Sequence, residues 1–508
     1  MKSSLRNKKV INIIFYISIF FVCLIGMFIR IYAWQHTENL FGDEGQLLHN
    51  IIGRNYLQLF LAPDGFQCCP PVFLILGKIL YSIFGVDNLW LRILPFTFSV
   101  ASLLLFVILS AKVINNKIGV LLSVFAFSLS EWCIFQQMFF KQYVSDCFFT
   151  VLVLLSAILL KDKKLSNHEM FLLSIFSSIL VLCSYTAGFL ILGIIIIYVT
   201  KNLIEAKTTN IKVKNIKPFL FYMVPFTILM TIFFFINCLP TMKCENLRNF
   251  WLAEYNILTF FPRNFDELKL FVKFMTTPFS RVYPSMIIFI ITFFIIIKKD
   301  KFLCAILYLP FITASMLGLL KLYPHSPERV SLYIIPLFIL IIFKSVDFIS
   351  SNNKIISLII ITLTLSNISY ERIYNQYSKI FKGNTSSIIE EYKERYKKEK
   401  VTLFQDFLKI LKYSDFTEKD YIVRDYTSIW VLNQKDTEKI DYTQIIWDDY
   451  GNISELEKLP INSNIYFYIS EEYHFDYKEL KDWITEHCEN IYNIDCYNAE
   501  FIKCRKIR

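Results

Sequence analysis

A polytopic α-helical membrane protein with a small α/β domain at its C-terminal end is the fold class this sequence predicts, and three observations carry it. Of its 508 residues 55% are hydrophobic, 17% aromatic and only 19% charged, more apolar surface than a soluble chain of this length needs. Apolar runs suited to helical spans recur from residue 10 to residue 369, separated by polar gaps. From Tyr370 onward the composition turns mixed polar and charged.

The first run, Val10 to Ala33, crosses a bilayer of roughly 30 Å at about 1.5 Å per helical residue. The basic stretch ahead of it, with Lys2, Arg6, Lys8 and Lys9, has the look of a signal peptide. The run is too long for one and lacks a small-residue cleavage site, so a retained first helix is expected. A polar loop from Trp34 to Gln67 follows, then Cys68-Cys69-Pro70-Pro71 and a short run, Val72 to Phe84, that carries Lys78 and suits the interface better than a crossing. Further spans are predicted at Leu91–Val113, Ile118–Ser130, Cys147–Leu160, Met170–Tyr185, Ala187–Val199, Pro218–Leu239, Tyr283–Ile297, Phe302–Leu320, Val330–Phe343 and Ile355–Ser369. That makes about eleven helices; the polar Ser184-Tyr185-Thr186 leaves open whether its two flanking runs are one segment or two.

Charge sets the expected orientation. Lys8, Lys9, Lys112, Lys117, Lys161, Lys163, Lys164, the cluster from Lys201 to Lys217, Lys298, Lys299, Lys301, Lys344 and Lys354 all fall on one side if the helices alternate, and that side is read as the cytoplasm. The opposite side receives the Asp43 loop, Glu131 to Asp146, Pro240 to Arg281, Lys321 to Glu328 and everything after Ser369. A cell-membrane protein with a cytoplasmic N-terminus and an extracytoplasmic C-terminal domain is the expectation. In that last segment Thr402–Tyr413 and Tyr477–His487 read as helices, and Tyr421–Tyr426, Asn464–Ile469 and the stretch near Phe501 as strands, enough for one small domain of about 135 residues.

Composition also excludes. The net charge of +10 is spread over gaps between spans, where topology explains it without a nucleic-acid partner. Twelve cysteines form no C-x-x-C pair and no Cys/His spacing for zinc. Pairing of Cys68 with Cys69, of Cys238 with Cys244, or among Cys488, Cys496 and Cys504 stays open.

Chemistry concentrates at the predicted outer face. Asp43 and Glu44 follow the first span, Arg92 opens the next, Lys141 and Asp146 precede the fourth, Arg329 precedes the tenth, and Lys78 sits on the interfacial run. Each has a plainer reading: Asp43 and Asp146 as helix caps, the cations as snorkelling helix-end residues. Together, acids and cations at one interface suit deprotonation of an acceptor hydroxyl or amine while a leaving phosphate is held by positive charge.

Phe41-Gly42-Asp43-Glu44, Pro70-Pro71 with Gly85 and Leu91-Arg92-Ile93-Leu94-Pro95, then Lys141-Gln142-Tyr143-Val144-Ser145-Asp146 give the first 160 or so residues a resemblance to the GT-C membrane glycosyltransferases related to protein O-mannosyltransferases and aminoarabinose (lipid A) transferases. Pro327-Glu328-Arg329 extends it loosely. The resemblance implies a GT-C-like fold and inverting transfer of a sugar from a polyprenyl-phosphate donor to a lipid, glycan or protein acceptor at the outer face. It implies the catalytic base at Asp43, with Asp146 as a second acid of the same site; Glu44, beside Asp43, is read together with Asp146 as orienting acceptor or donor. Some relatives carry a Lys directly before the Pro-Pro pair, where this chain has Cys69, so the donor phosphate is left to Arg92, Lys141, Arg329 or Lys78. A divalent metal ion bridging acids and phosphate is left open. The rival class is a secondary transporter or lipid-linked-sugar flippase. Transporters place ionisable residues near the bilayer midplane, whereas these spans are nearly free of acids.

Overall fold

A computed structural model describes residues 2–35, 42–63, 67–85, 88–209, 216–244, 247, 282–319, 323, 329–350, 420–424, 443–446, 456–470, 478–496 and 499–508. The predicted span at Ile355–Ser369 and helix at Thr402–Tyr413 lie outside these residues.

The helices are α1 Lys2–Gln35, α2 Gly42–Gly53, α3 Pro71–Phe84, α4 Asn88–Leu91, α5 Ile93–Val113, α6 Lys117–Ser128, α7 Glu131–Gln136, α8 Tyr143–Leu160, α9 Asn167–Cys183, α10 Tyr185–Thr209, α11 Ile216–Phe233, α12 Leu239–Lys243, α13 Val282–Lys299, α14 Lys301–Leu319 and α15 Ile335–Ser350. Among the described residues four stretches, Val10–Gln35, Leu89–Val113, Tyr143–Leu160 and Pro218–Lys243, are long and apolar enough to cross a membrane. The chain is a mostly helical membrane protein. Along α1, Ile19, Cys23, Gly26, Arg30 and Ala33 form one buried stripe, while Ile13, Ile17, Phe20, Leu24 and Phe28 are exposed, as a lipid-facing surface requires. Gly26 lets α1 approach α6: a Cβ there would stand 2.8 Å from the Ser128 Cβ. By contrast α15 is buried on every side from Ile335 to Phe343 and, with α8, forms the centre of the core.

At one end of the bundle Asp347 accepts hydrogen bonds from the backbone N–H of Asn115 (3.1 Å) and Asn116 (2.9 Å) and pairs with Lys344 at 2.9 Å, and Lys117 donates to Asn12. These lysines belong to the set the charge pattern assigns to the cytoplasm. The other end carries α2, α3, the α9–α10 junction and the segment Gln137–Gln142. With 14 residues, α3 is about 21 Å long, too short to cross. Pro71 starts it, and Gly85 ends it with φ of 72°, a left-handed conformation that favours glycine.

The C-terminal segment forms a five-stranded sheet of β1 Asp420–Arg424, β2 Thr443–Ile446, β3 Asn464–Ser470, β4 Cys488–Cys496 and β5 Ala499–Lys506, in the order β2-β1-β3-β5-β4. β1 runs parallel to β2 and β3; β5 is antiparallel to both β3 and β4. Helix α16, Lys478–His487, packs Leu480, Trp483 and Ile484, at helical spacing, with Ile465 and Phe467 of β3. Cys488 and Cys504 are free thiols beside one another in this core.

Candidate active site

The polar residues of the second bundle end are brought together by three junctions. The first is an ion pair. Glu44, in the first turn of α2, is 1% exposed, and Arg92, ahead of α5, is 2% exposed. Arg92 donates from Nε to Glu44 Oε1 at 3.0 Å and from Nη2 to Oε2 at 2.7 Å, a fork-to-carboxylate geometry. Glu44 Oε1 also accepts the backbone N–H of Phe140. One carboxylate thus ties α2 to α5 and to the loop ahead of α8. Asp43 precedes it in the same first turn, so its backbone position is set by this anchor.

The second junction is a chain of amides. Lys141 Nζ donates to Gln67 Oε1 at 2.7 Å, and Gln67 Nε2 donates to Gln46 Oε1. Gln142 Nε2 donates to the Cys68 carbonyl at 2.7 Å. Lys141 is 6% exposed, an unusual degree of burial for an ammonium and one that only polar partners sustain.

The third lies at the break between α9 and α10. Ser184 is extended, with φ of −160° and ψ of 120°, and its hydroxyl donates to Asp146 Oδ1. Thr186 Oγ1 lies 2.9 Å from that hydroxyl. Asp146, in the first turn of α8, is 3% exposed, and the next residue, Cys147, donates through Sγ to the Leu332 carbonyl at 3.1 Å. Arg329, half-buried in the turn before Leu332, thereby reaches the same end; its carbonyl accepts the Leu332 N–H at 3.2 Å. Lys78 instead donates to the Ile51 carbonyl at 2.6 Å and lies over the Tyr56 ring at 5.7 Å, fixing α3 on α2.

Of the residues the sequence singles out, Glu44, Arg92, Lys141, Asp146 and Arg329 therefore converge. Glu44 and Arg92 serve each other. Gln46, Gln67, Ser184, Tyr185 and Asn237 join the network without having been singled out as site residues. The signal for three of them was a polar interruption: Ser184-Tyr185-Thr186 between two apolar runs, and Asn237 near the end of another. Among the described residues no three or more His, Cys, Asp or Glu side chains are grouped so that they could hold a metal ion.

No protein-family model and no curated sequence matches the chain. Its structure matches that of ArnT from Cupriavidus metallidurans, both in the apo state and bound to undecaprenyl phosphate. Each match has a TM-score of 0.55 and 9% sequence identity and covers 95% of this chain and 97% of ArnT. An oligosaccharyltransferase from Archaeoglobus fulgidus, in a complex with Zn and sulfate, overlaps with a TM-score of 0.49, at 12% identity, over 89% of this chain and 67% of that one. Spanning almost the whole of both chains, the ArnT match shows that this protein has the GT-C membrane glycosyltransferase fold.

Proposed function

We propose that the protein transfers a sugar from a polyprenyl-phosphate donor to an acceptor hydroxyl or amine at the outer face of the membrane. What supports this reading is that Lys141, Asp146 and Arg329 meet at one end of the fold, with Asp43 in the helical turn that Glu44 anchors there, and that the ArnT structure it resembles is described as bound to undecaprenyl phosphate. Asp43 removes the acceptor proton, and the acceptor's electron pair attacks the anomeric carbon. The bond from that carbon to the phosphate oxygen breaks, and the polyprenyl phosphate leaves with the bonding pair, inverting the anomeric centre. The charge of Arg92 is met by the Glu44 carboxylate and Lys78 fixes α3 on α2, whereas Lys141 donates to the neutral Gln67 amide; the leaving phosphate is assigned to Lys141, with Arg329 as a second cation. Glu44 is a positioning residue that holds the turn bearing Asp43. Asp146, fixed by Ser184, orients the acceptor.

The test is transfer of radiolabelled sugar from polyprenyl-phosphate donors to membrane acceptors by the full chain and by Asp43→Asn at matched expression and melting temperature. Loss of a general base lowers transfer by about 10²-fold or more. Unchanged transfer removes Asp43 from the mechanism. Absence of transfer by the unaltered chain, with movement of the lipid-linked sugar across vesicles, makes it a flippase.

A further inference from the structure

Asn237 lies within a single π-helical turn, Phe234–Cys238, between α11 and α12, and is fully buried at the end of an apolar helix. A buried amide is costly there unless each of its groups is partnered. Its Nδ2 donates to the carbonyls of Phe60 and Leu61, both at 3.1 Å, and its Oδ1 accepts the Tyr185 hydroxyl at 2.7 Å. That hydroxyl also lies 3.0 Å from the Cys69 carbonyl. Tyr185 directly follows Ser184, the residue that holds Asp146. Described residues between α2 and α3 are therefore gripped by side chains. Asn237 holds Phe60 and Leu61, Lys141 and Gln46 hold Gln67, Gln142 holds Cys68, and Tyr185 holds Cys69. Within the π turn Asn237 is buried, while Phe234, Phe235 and Ile236 just before it are exposed.

We propose that Asn237 and Tyr185 are positioning residues that lock Phe60, Leu61 and Cys69 against Lys141 and the Asp146 turn, and so set where the donor phosphate is held. The role in transfer rests on the functional reading above; the lock itself does not. Cys69, fully buried in the locked segment, provides a readout that needs no enzyme assay. Burial holds its thiol well above the ordinary range, so it is protonated and inert near neutral pH.

The experiment measures alkylation of individual cysteines by a maleimide, mapped by mass spectrometry, in the full chain and in Asn237→Leu, Asn237→Asp and Tyr185→Phe, alongside donor KM and kcat. Tyr185→Phe removes one hydroxyl and keeps the ring stacked on Phe233, so it is the variant retained if the Asn237 changes fail to fold. Releasing the segment raises Cys69 alkylation about tenfold while Cys147 and Cys304, in the core, stay unreactive. Donor KM rises more than kcat falls, and Asn237→Asp, which keeps the acceptor for Tyr185, falls between the wild type and Asn237→Leu. Unchanged Cys69 alkylation in every folded variant overturns the lock, whatever the transfer assay gives. Raised alkylation with donor KM unchanged overturns the positioning role. Raised alkylation in a chain whose wild type transfers nothing supports the lock and sinks the transferase reading instead.

Discussion

Glu44 and Arg92 stand 48 residues apart in sequence and are almost wholly withdrawn from water as one forked pair. Removing one partner strands a buried charge, which costs about 3–5 kcal/mol, whereas removing both leaves none. Glu44→Gln and Arg92→Met are each expected to lower the melting temperature in detergent, and the double variant to lose less than the sum of the two. A double variant as damaged as the sum shows that the residues act independently. Under the proposed mechanism Asp43→Asn is expected to leave the melting temperature unchanged while lowering transfer about 10²-fold or more. The assays thereby separate the two adjacent acids, Glu44 being expected to hold the turn and Asp43 to act on the acceptor.

Among elements, the contact of α15 with α6 decides how the opposite end of the bundle closes. The Asp347 carboxylate takes the backbone N–H groups of Asn115 and Asn116, just ahead of α6, and the ammonium of Lys344, itself 4% exposed; α6 is capped by the Asn116 side chain. Asp347→Ala loses these backbone bonds and leaves a buried cation without this acid, so a loss of about 3 kcal/mol is expected. Lys344→Met keeps the backbone bonds and replaces the ammonium with an apolar end of similar length, and the loss is expected to stay near 1 kcal/mol. Thermal unfolding of both variants checks the order; equal losses mean that the bonds to Asn115 and Asn116 contribute nothing. The α9–α10 break is the corresponding device at the other end. A straight helix through Ser184 would carry its hydroxyl away from Asp146 and Tyr185 away from Asn237.

For the whole molecule, the charge distribution along the sequence makes a topological statement that the contacts support in part. Asn12, Lys117, Lys344 and Asp347 meet at one end, and Glu44, Arg92, Lys141 and Asp146 at the other, as alternating spans require. An alkaline phosphatase fused after Arg508 is expected to be active, and one fused after Lys117 inactive, because the phosphatase folds only outside the cytoplasm. The reverse pattern inverts the assignment and moves the site to the cytoplasmic face.

What the sequence determined by itself is what depends on local composition. Length and hydropathy marked the apolar helices, and the polar gaps marked their ends. The strands β1, β3 and β5 were legible because β-branched and aromatic residues repeat along them. β2, with Thr443-Gln444-Ile445-Ile446, is too short for a period to show, and β4 was hidden by Asn490, Asn493 and Asp495, which strands seldom use; the bulge at Asn490 and Tyr492 breaks its alternation. Asp43, Glu44, Arg92, Lys141 and Asp146 were legible as charges beside apolar runs, where their cost demands a reason. Which of them pair was not legible. Glu44 reads like Asp43 in sequence, and only packing, by bringing Arg92 and the Phe140 N–H to Glu44, makes it an anchor. The amides of Gln67, Gln142 and Asn237 left little trace because an uncharged side chain is cheap in a loop and its partners are distant carbonyls. Hydrogen bonds between segments far apart in sequence exist only after the helices pack, so the tertiary structure alone decided which polar groups form the site.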